Sequence, residues 1–448
     1  MKKILKPILI LIFLGLVYFV YANYPRLQII TGFSSKSVAS GMFLSHRTQE
    51  SVENGDNDFP PIEHSDNNVN LEEKSVTSTI FGMRPAKAIY REGLGAVLLT
   101  DDYVEGQEFI VPKRDLSSKS LPFPYGNLPQ IENEFVNVDY NTLQNAVENA
   151  FDKSNENIKK TRSVLVVYKD IIIAEKYADG FDQNTPILGW SMTKSITSTI
   201  YGILQKQGLI DINSVTGIEE WQKDDRKNIT YNDLLHMNSG LDWEENYNTI
   251  SDVTKMLFME NDMGKVQMRK KLQGEINESW NYSSGTSNLL AGYLLRKQFK
   301  TQQEYLDFWY RELLDKIGMH SALIETDLAG NFVGSSYGWA TTRDWAKFGL
   351  LYLHKGNWNG EQILTPEWVK YVSTPTNGSD GKYGAHFWLN AGGRYPDVPK
   401  DLFSANGFQG QFVFIIPSKD IVIVRTGLTE DPEFDVNGFL RDILASIK

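Results

Sequence analysis

Apolar residues recur with a helical period in one part of the chain and in unbroken β-rich runs in others. From Ser191 to Gly208 the sequence reads SMTKSITSTIYGILQKQG, with Ile196, Ile200, Ile203 and Leu204 at helical intervals and a glycine at the end. That pattern predicts a helix with one apolar face. SVLVVYKDIIIAEKY from Ser163 and QFVFIIPSKDIVIVRTG from Gln411 each predict a hairpin, turning at Lys169-Asp170 and at Ser418-Lys419. Further helices are expected from about Thr142 to Phe151 and from Phe434 to Ile447. Thr230 with Asp233, and Thr341 with Asp344, have the spacing of capping boxes, and Thr365 before Pro366 reads as a threonine cap. Strand pairs at both ends with helices between them imply an α+β fold: one antiparallel sheet built from both ends of a main domain, residues 136–448, around a helical subdomain.

Ahead of that domain the pattern weakens. Residues 23–135 read as an N-terminal extension, in which the polar, acidic run from Glu50 to Ser78 is expected to be a loop or linker. AVLLT (96–100) and EFIVP (108–112) are expected to be short strands. Residues 1–22 begin MKK, continue through an apolar run from Ile8 to Val20 and reach a small residue at Ala22. This is the layout of a signal peptide, and the stretch from Ile4 to Ala22 also approaches the ~20 residues that a membrane anchor needs. Export is expected, either as a secreted protein or as one attached to the membrane by this segment.

Composition narrows the function classes. A chain of 448 residues suits one large domain with an extension. A net charge of −11 without a basic stripe excludes a nucleic-acid partner. With no cysteine there is no thiolate nucleophile, disulfide or zinc-thiolate site. No HExxH, phosphate loop or dinucleotide fingerprint occurs, so neither a metal nor another cofactor is expected.

The chemistry centres on Ser191 and Lys194. Residues three apart share a helix face, so the amine can reach the hydroxyl, and the amides of a first helical turn point where negative charge would develop. Spacing alone does not establish this: Ser379-Asp380-Gly381-Lys382 repeats it in TNGSDGKYG, where Gly and Asp break any helix. A serine hydroxyl needs a neighbour to take its proton, and lysine can do so only when neutral, its pKa drawn down from about 10.4. Tyr282, in WNYSSGTSNLLAGYLL, is the candidate for a proton relay. The plainer alternatives are an N-cap serine beside a solvated lysine, and a packing tyrosine. His236 reads as structural. Trp243 and Tyr247 in LDWEENY, and His386 and Trp388 in YGAHFWLN, either line a substrate cleft or pack in the core.

Taken in order, Ser191-Met192-Thr193-Lys194, ITYNDLLHMNSGL, Tyr282-Ser283-Ser284 and ANGFQGQFVFIIP resemble the serine β-lactamase and penicillin-binding-protein superfamily. They look most like the branch related to class C β-lactamases that holds esterases, D-amino-acid amidases and 6-aminohexanoate-dimer hydrolases. The resemblance covers about residues 140 to 448. It implies a β-lactamase/transpeptidase-like fold, Ser191 as acylated nucleophile, Lys194 as its base and Tyr282 as relay to the leaving group. It also implies Ala405-Asn406-Gly407 as the edge-strand motif, with the amides of Ser191 and Phe408 as oxyanion hole. Two positions depart from the pattern: Ser284 stands where the superfamily often has Asn, and Ala405 where it commonly has Lys. Together with Gly407, these two are expected to meet substrate. The expected function is an exported serine hydrolase that cleaves a small-molecule or short peptide-like amide or ester through an acyl-enzyme. The alternatives are a D,D-peptidase or β-lactamase acting on cell-wall-like substrates, and a noncatalytic relative that binds a ligand in the same cleft.

Overall fold

Both predicted hairpins belong to one antiparallel sheet, in which they pair with each other. In the computed structural model, which describes residues 23–100, 103–153 and 158–448 together with a few positions between 8 and 21, the sheet has six strands. They are β5 (Thr161–Tyr168), β6 (Ile171–Tyr177), β12 (Trp388–Leu389), β13 (Phe403–Gly407), β14 (Gln411–Ile416) and β15 (Ile421–Gly427), in the order β12-β13-β14-β15-β5-β6. The first and last parts of the domain meet where β15 pairs with β5, Val424 opposite Leu165. Lys169 and Asp170 both adopt positive φ in the β5–β6 turn, which matches its twist to that of the strands.

The central strands carry unbroken apolar runs, 164–167, 412–416 and 421–424, as strands covered on both faces do. Leu165, Val167, Val413, Ile415, Val422 and Val424 face one side and pack with Ile196, Ile200, Phe348 and Leu351 from the helices Met192–Lys206 and Thr342–Leu353. The alternate residues, Val164, Val166, Phe412, Phe414, Ile421 and Ile423, pack with Leu143, Val147, Leu440 and Ile443 from the helices Tyr140–Asn149 and Val436–Ala445. A slip of one residue in any pairing would exchange the two faces, and burial of each such side chain contributes about 1.5 to 3 kcal/mol, so the register is strongly specified.

Short pairs complete the strand set: β7 (Ile187–Leu188), β8 (Leu323–Ile324) and β9 (Gly338–Ala340) form a three-stranded sheet in the order β7-β9-β8, and β10 (Asn357–Trp358) pairs with β11 (Glu361–Gln362). The expected caps are present with one change. Thr230 and Asp233 make a full capping box, and Thr365 caps the helix that begins at Pro366. Thr341 accepts from the Asp344 amide, but the Asp344 carboxylate turns to Ser321 and Lys347, and Ser321 Oγ receives the Thr341 N–H instead.

The chain divides into two compact units. One comprises residues 1–91, 96–105 and 246–261; the other comprises 92–95, 106–245 and 262–448 and includes residues 106–135, which the sequence pattern groups with the extension. The first unit contains a four-stranded antiparallel sheet, β1 (Ser65–Asn70), β2 (Ser75–Ile80), β3 (Met83–Arg91) and β4 (Gly95–Leu98), and the helices Leu27–Phe43 and Asp252–Met259. Here the linker expected from Glu50 to Ser78 is corrected: the run holds part of the helix Gln49–Glu53 and both β1 and β2. Its polar side chains are used structurally. Asn67 of β1 bonds to Ser34, Ser78 and Glu53, so a low-propensity segment is held in a sheet by tertiary contacts. Of the two short strands expected, AVLLT forms β4 through Leu98, while EFIVP forms no strand. The targeting segment expected at residues 1–22, Ala22 included, lies largely outside the described residues. Among those described, no helix is long and apolar enough to cross a membrane.

Candidate active site

Ser191 stands at the junction of β7 and the helix Met192–Lys206. The residue before it, Trp190, is buried and takes a left-handed φ of 47°, a strained conformation for a bulky side chain and one that recurs at functional turns. The first-turn amides are not available as the helix-start argument supposes. Those of Met192, Thr193 and Lys194 donate to the carbonyls of Gly189, Trp190 and Ser191, which tighten the entry turn.

Every residue of this helix from Met192 to Leu204 is buried. Its apolar side chains enter the core, while its hydroxyls satisfy loop carbonyls: Ser195 donates to His386, Thr197 to Gly334 and Ser198 to Ala385. Lys194 therefore emerges into an enclosed polar pocket, 1 % exposed. Its Nζ lies 2.9 Å from Ser191 Oγ, 2.8 Å from Ser284 Oγ and 3.0 Å from the Ser335 carbonyl. As an ammonium, Nζ donates to all three oxygens; after loss of one proton, two hydrogens can remain on Ser335 and Ser284 and the lone pair can face the Ser191 hydroxyl. Burial draws the Lys194 pKa down to about 8, against the opposing pull of the Glu245 carboxylate, 4.0 Å away.

Tyr282 completes the group. Its ring lies 4.8 Å from Lys194 Nζ, and Ser191 and Trp388 lie near enough to its hydroxyl to draw its pKa down. Burial, and then the Glu245 charge, outweigh them and raise its pKa, so it can pass a proton as a neutral hydroxyl rather than act as a phenolate. Trp388 and Tyr383 pack against its ring with centroids 5.3 and 5.6 Å away.

The Ala405-Asn406-Gly407 motif reaches the same place, but on β13, the second strand, because the two-residue β12 pairs outside it with Phe403 and Ser404. Ala405 pairs with Val413 on β13 and is buried, and Gly407 pairs with Gln411 at the strand end. A Cβ on Gly407 would lie 2.0 Å from the Gly189 carbonyl, so only glycine lets β13 approach the segment that carries Ser191 so closely. Phe408 follows directly, its ring edge-on to Trp190 at 5.5 Å.

The other expected residues separate. Ser284 is buried between Lys194 and Glu245. Trp243 is buried, donates to Glu245 Oε2 and lies against Gly285, so it packs behind the site rather than in an open cleft. Tyr247 belongs to the other compact unit. His386 is a core residue: Nδ1, 2.7 Å from the Leu235 carbonyl, carries the hydrogen, and Nε2 accepts from Ser287. His236 is structural, on Thr376, and burial lowers its pKa to about 4. Ser379, in the second serine–lysine pattern, donates to the Thr376 carbonyl, while Lys382 is half exposed beside Asp380. Glu245 is the site residue that sequence reasoning missed. Its position directly after Trp243 and Glu244 gives no spacing signal, since its partner Ser284 is 39 positions away. Among the described residues no cluster of His, Cys, Asp or Glu could hold a metal ion.

Known structures share this architecture. One is a Bacillus anthracis protein provisionally named as a 6-aminohexanoate-dimer hydrolase, 21 % identical over 64 % of this chain and 79 % of that one, TM-score 0.56. A family VIII carboxylesterase matches at 16 % identity over 70 % of this chain and 99 % of its own, TM-score 0.54. A penicillin-binding protein homolog from Caulobacter crescentus matches at 15 % identity over 68 % and 97 %, TM-score 0.52. At these identities the likeness is one of fold. The family itself follows from sequence: the beta-lactamase family model matches residues 157–444, more than half of the chain. With serine, lysine and tyrosine gathered at the helix start inside that matched region, the chain belongs to the beta-lactamase family.

Proposed function

We propose that this protein hydrolyses an uncharged ester or amide through an acyl-enzyme on Ser191. The observation that carries the reading is the Ser191 hydroxyl 2.9 Å from a buried amine whose pKa is drawn down to about 8, with the Tyr282 ring 4.8 Å from the same amine. Lys194 takes the Ser191 proton as the oxygen attacks the substrate carbonyl. Tyr282 hands a proton to the leaving group, and water then releases the acyl group. The oxyanion is held by the amides of Ser191 and Phe408, a reading supported by the close approach of Gly407 to Gly189. A pure binding module has no use for all three side chains together.

The substrate class rests on charge. Ala405 supplies no cation for a substrate carboxylate, and Ser284 offers no amide donor. Two carboxylates, Glu245 and Glu430, act on Tyr282. A charge-assisted hydrogen bond to substrate contributes roughly 1.5 to 3 kcal/mol, or about one to two decades of affinity, and a β-lactam would forgo it here. The test compares kcat/KM for nitrocefin with that for p-nitrophenyl acetate and butyrate, with Ser191→Ala as blank. The esters are expected to turn over faster. Faster turnover of nitrocefin than of every ester and amide tried would favour the β-lactamase or D,D-peptidase reading instead.

A further inference from the structure

The polar chain that begins at Ser191 does not stop at Lys194. Lys194 Nζ is 2.8 Å from Ser284 Oγ, and that hydroxyl donates in turn to Glu245 Oε1. The second carboxylate oxygen, Oε2, accepts from the Ser284 amide at 2.8 Å and from the Trp243 indole. Three donors on two oxygens fix the orientation of a carboxylate that is only 13 % exposed. A carboxylate removed from water and held this firmly needs a compensating charge, and the Lys194 amine faces it at 4.0 Å.

We propose that Glu245 is a positioning residue of the reaction: through the Ser284 hydroxyl it holds the Lys194 amine against Ser191, and it stabilises the ammonium that forms there. The inference rests on the roles given to Ser191 and Lys194 above. In the step concerned, the Ser191 O–H bond breaks, an N–H bond forms on Lys194, and the electron pair left on oxygen forms the bond to the substrate carbonyl carbon. The positive charge created on Nζ appears beside the fixed negative charge of Glu245. At the position where the resemblance leads to asparagine, Ser284 thus passes the contact on to an acid.

The opposing effects are separable. Glu245 makes Lys194 a stronger base, which favours proton transfer, but it also keeps more of the amine protonated at neutral pH. Burial works the other way and brings the pKa to about 8. The other titratable groups around the pair are Tyr282, Tyr383 and His386, with Glu430 acting on Tyr282 and Lys270 set back on the Trp243 ring at 5.8 Å. Burial raises the pKa of both phenols and lowers that of His386 to about 3, so all three stay neutral over the working range.

The experiment is the pH profile of kcat/KM for p-nitrophenyl butyrate in wild type, Glu245→Gln, Glu245→Asp and Ser284→Ala, with folding checked by circular dichroism and Tm. Loss of the carboxylate charge should move the rising limb of Glu245→Gln to lower pH by about one unit or more and lower its plateau about tenfold or more. Glu245→Asp keeps the charge and should keep the limb near that of wild type. Ser284→Ala leaves both charges but cuts the bridge, so its plateau should fall without the downward shift. A purely structural role would lower rates and leave the limb in place, and an unmoved limb in folded Glu245→Gln overturns the proposal. Should that variant not fold, a Ser284→Ala plateau equal to wild type overturns it. Wild type is labelled with a fluorophosphonate in parallel. If Ser191 is not labelled, the underlying reading fails; if it is labelled and the limb does not move, only this inference fails.

Discussion

Lys194 answers to two opposing electrostatic demands, and the balance sets the pH at which the site can work. Burial disfavours the ammonium, Glu245 favours it, and the outcome is a pKa of about 8. Because the neutral amine is the base, kcat/KM for a neutral ester should rise with pH through about 8 and level off above it; a flat profile from pH 6 to 9 would contradict the assignment. Tyr282→Phe removes the hydroxyl proposed to relay the proton and should cost on the order of 10²-fold in rate, with the fold unchanged. Ser379→Ala should leave hydrolysis unaltered, since that hydroxyl serves only the turn around Thr376 and Tyr383. What the sequence reveals at this scale follows chain distance. Ser191 and Lys194 stand three apart on a helix, so their contact can be read from local geometry. Glu245 meets Ser284 only through the fold, and Tyr247, two residues further on, falls in the other compact unit.

The helix that carries Ser191 and Lys194 is positioned by close packing as much as by its apolar face. A Cβ on Gly202 would lie about as close as 2.5 Å to the buried ring of Trp368. Alanine is the better helix former by about 1 kcal/mol, but overpacking against a fixed ring costs ~1–3 kcal/mol. Gly202→Ala should therefore lower Tm by a few degrees, and a Tm at or above wild type in a thermal melt would show that the ring yields. Gly407→Ala is a sharper case because the nearest contact is backbone, the Gly189 carbonyl. It should push the end of β13 away from the Ser191 segment, reduce kcat about 10²-fold or more and lower Tm at least as much as Gly202→Ala. The two hairpins could be read from sequence because unbroken apolar runs interrupted by Lys169-Asp170 and by Ser418-Lys419 admit few other structures. The acidic run could not: β1, SDNNVN, has almost no strand propensity, and the bonds that hold Asn67 come from Ser34, Ser78 and Glu53.

Across the whole molecule, a formal charge of −11 and a site bordered by Glu245 and Glu430 both disfavour anionic substrates. That agrees with an uncharged ester or amide as the group cleaved. The first 22 residues bear on where such a substrate would be met: a reporter fused after residue 30 is expected to be exported, and full-length protein found only in the cytosol would contradict this. The family could be inferred from four motifs in order, and an antiparallel sheet joining both ends of the domain from its two hairpins, whereas the excursion of residues 246–261 into the other unit could not, because nothing in that segment's composition marks it. The expectations for catalysis depend on Ser191 forming a covalent acyl intermediate. Intact-mass analysis of protein quenched in acid during turnover of p-nitrophenyl butyrate, or after fluorophosphonate treatment, followed by peptide mapping, tests that step directly. One adduct per chain on the peptide holding Ser191, lost in Ser191→Ala, is the predicted result; hydrolysis that persists in Ser191→Ala, or an adduct that maps to another residue, would contradict it.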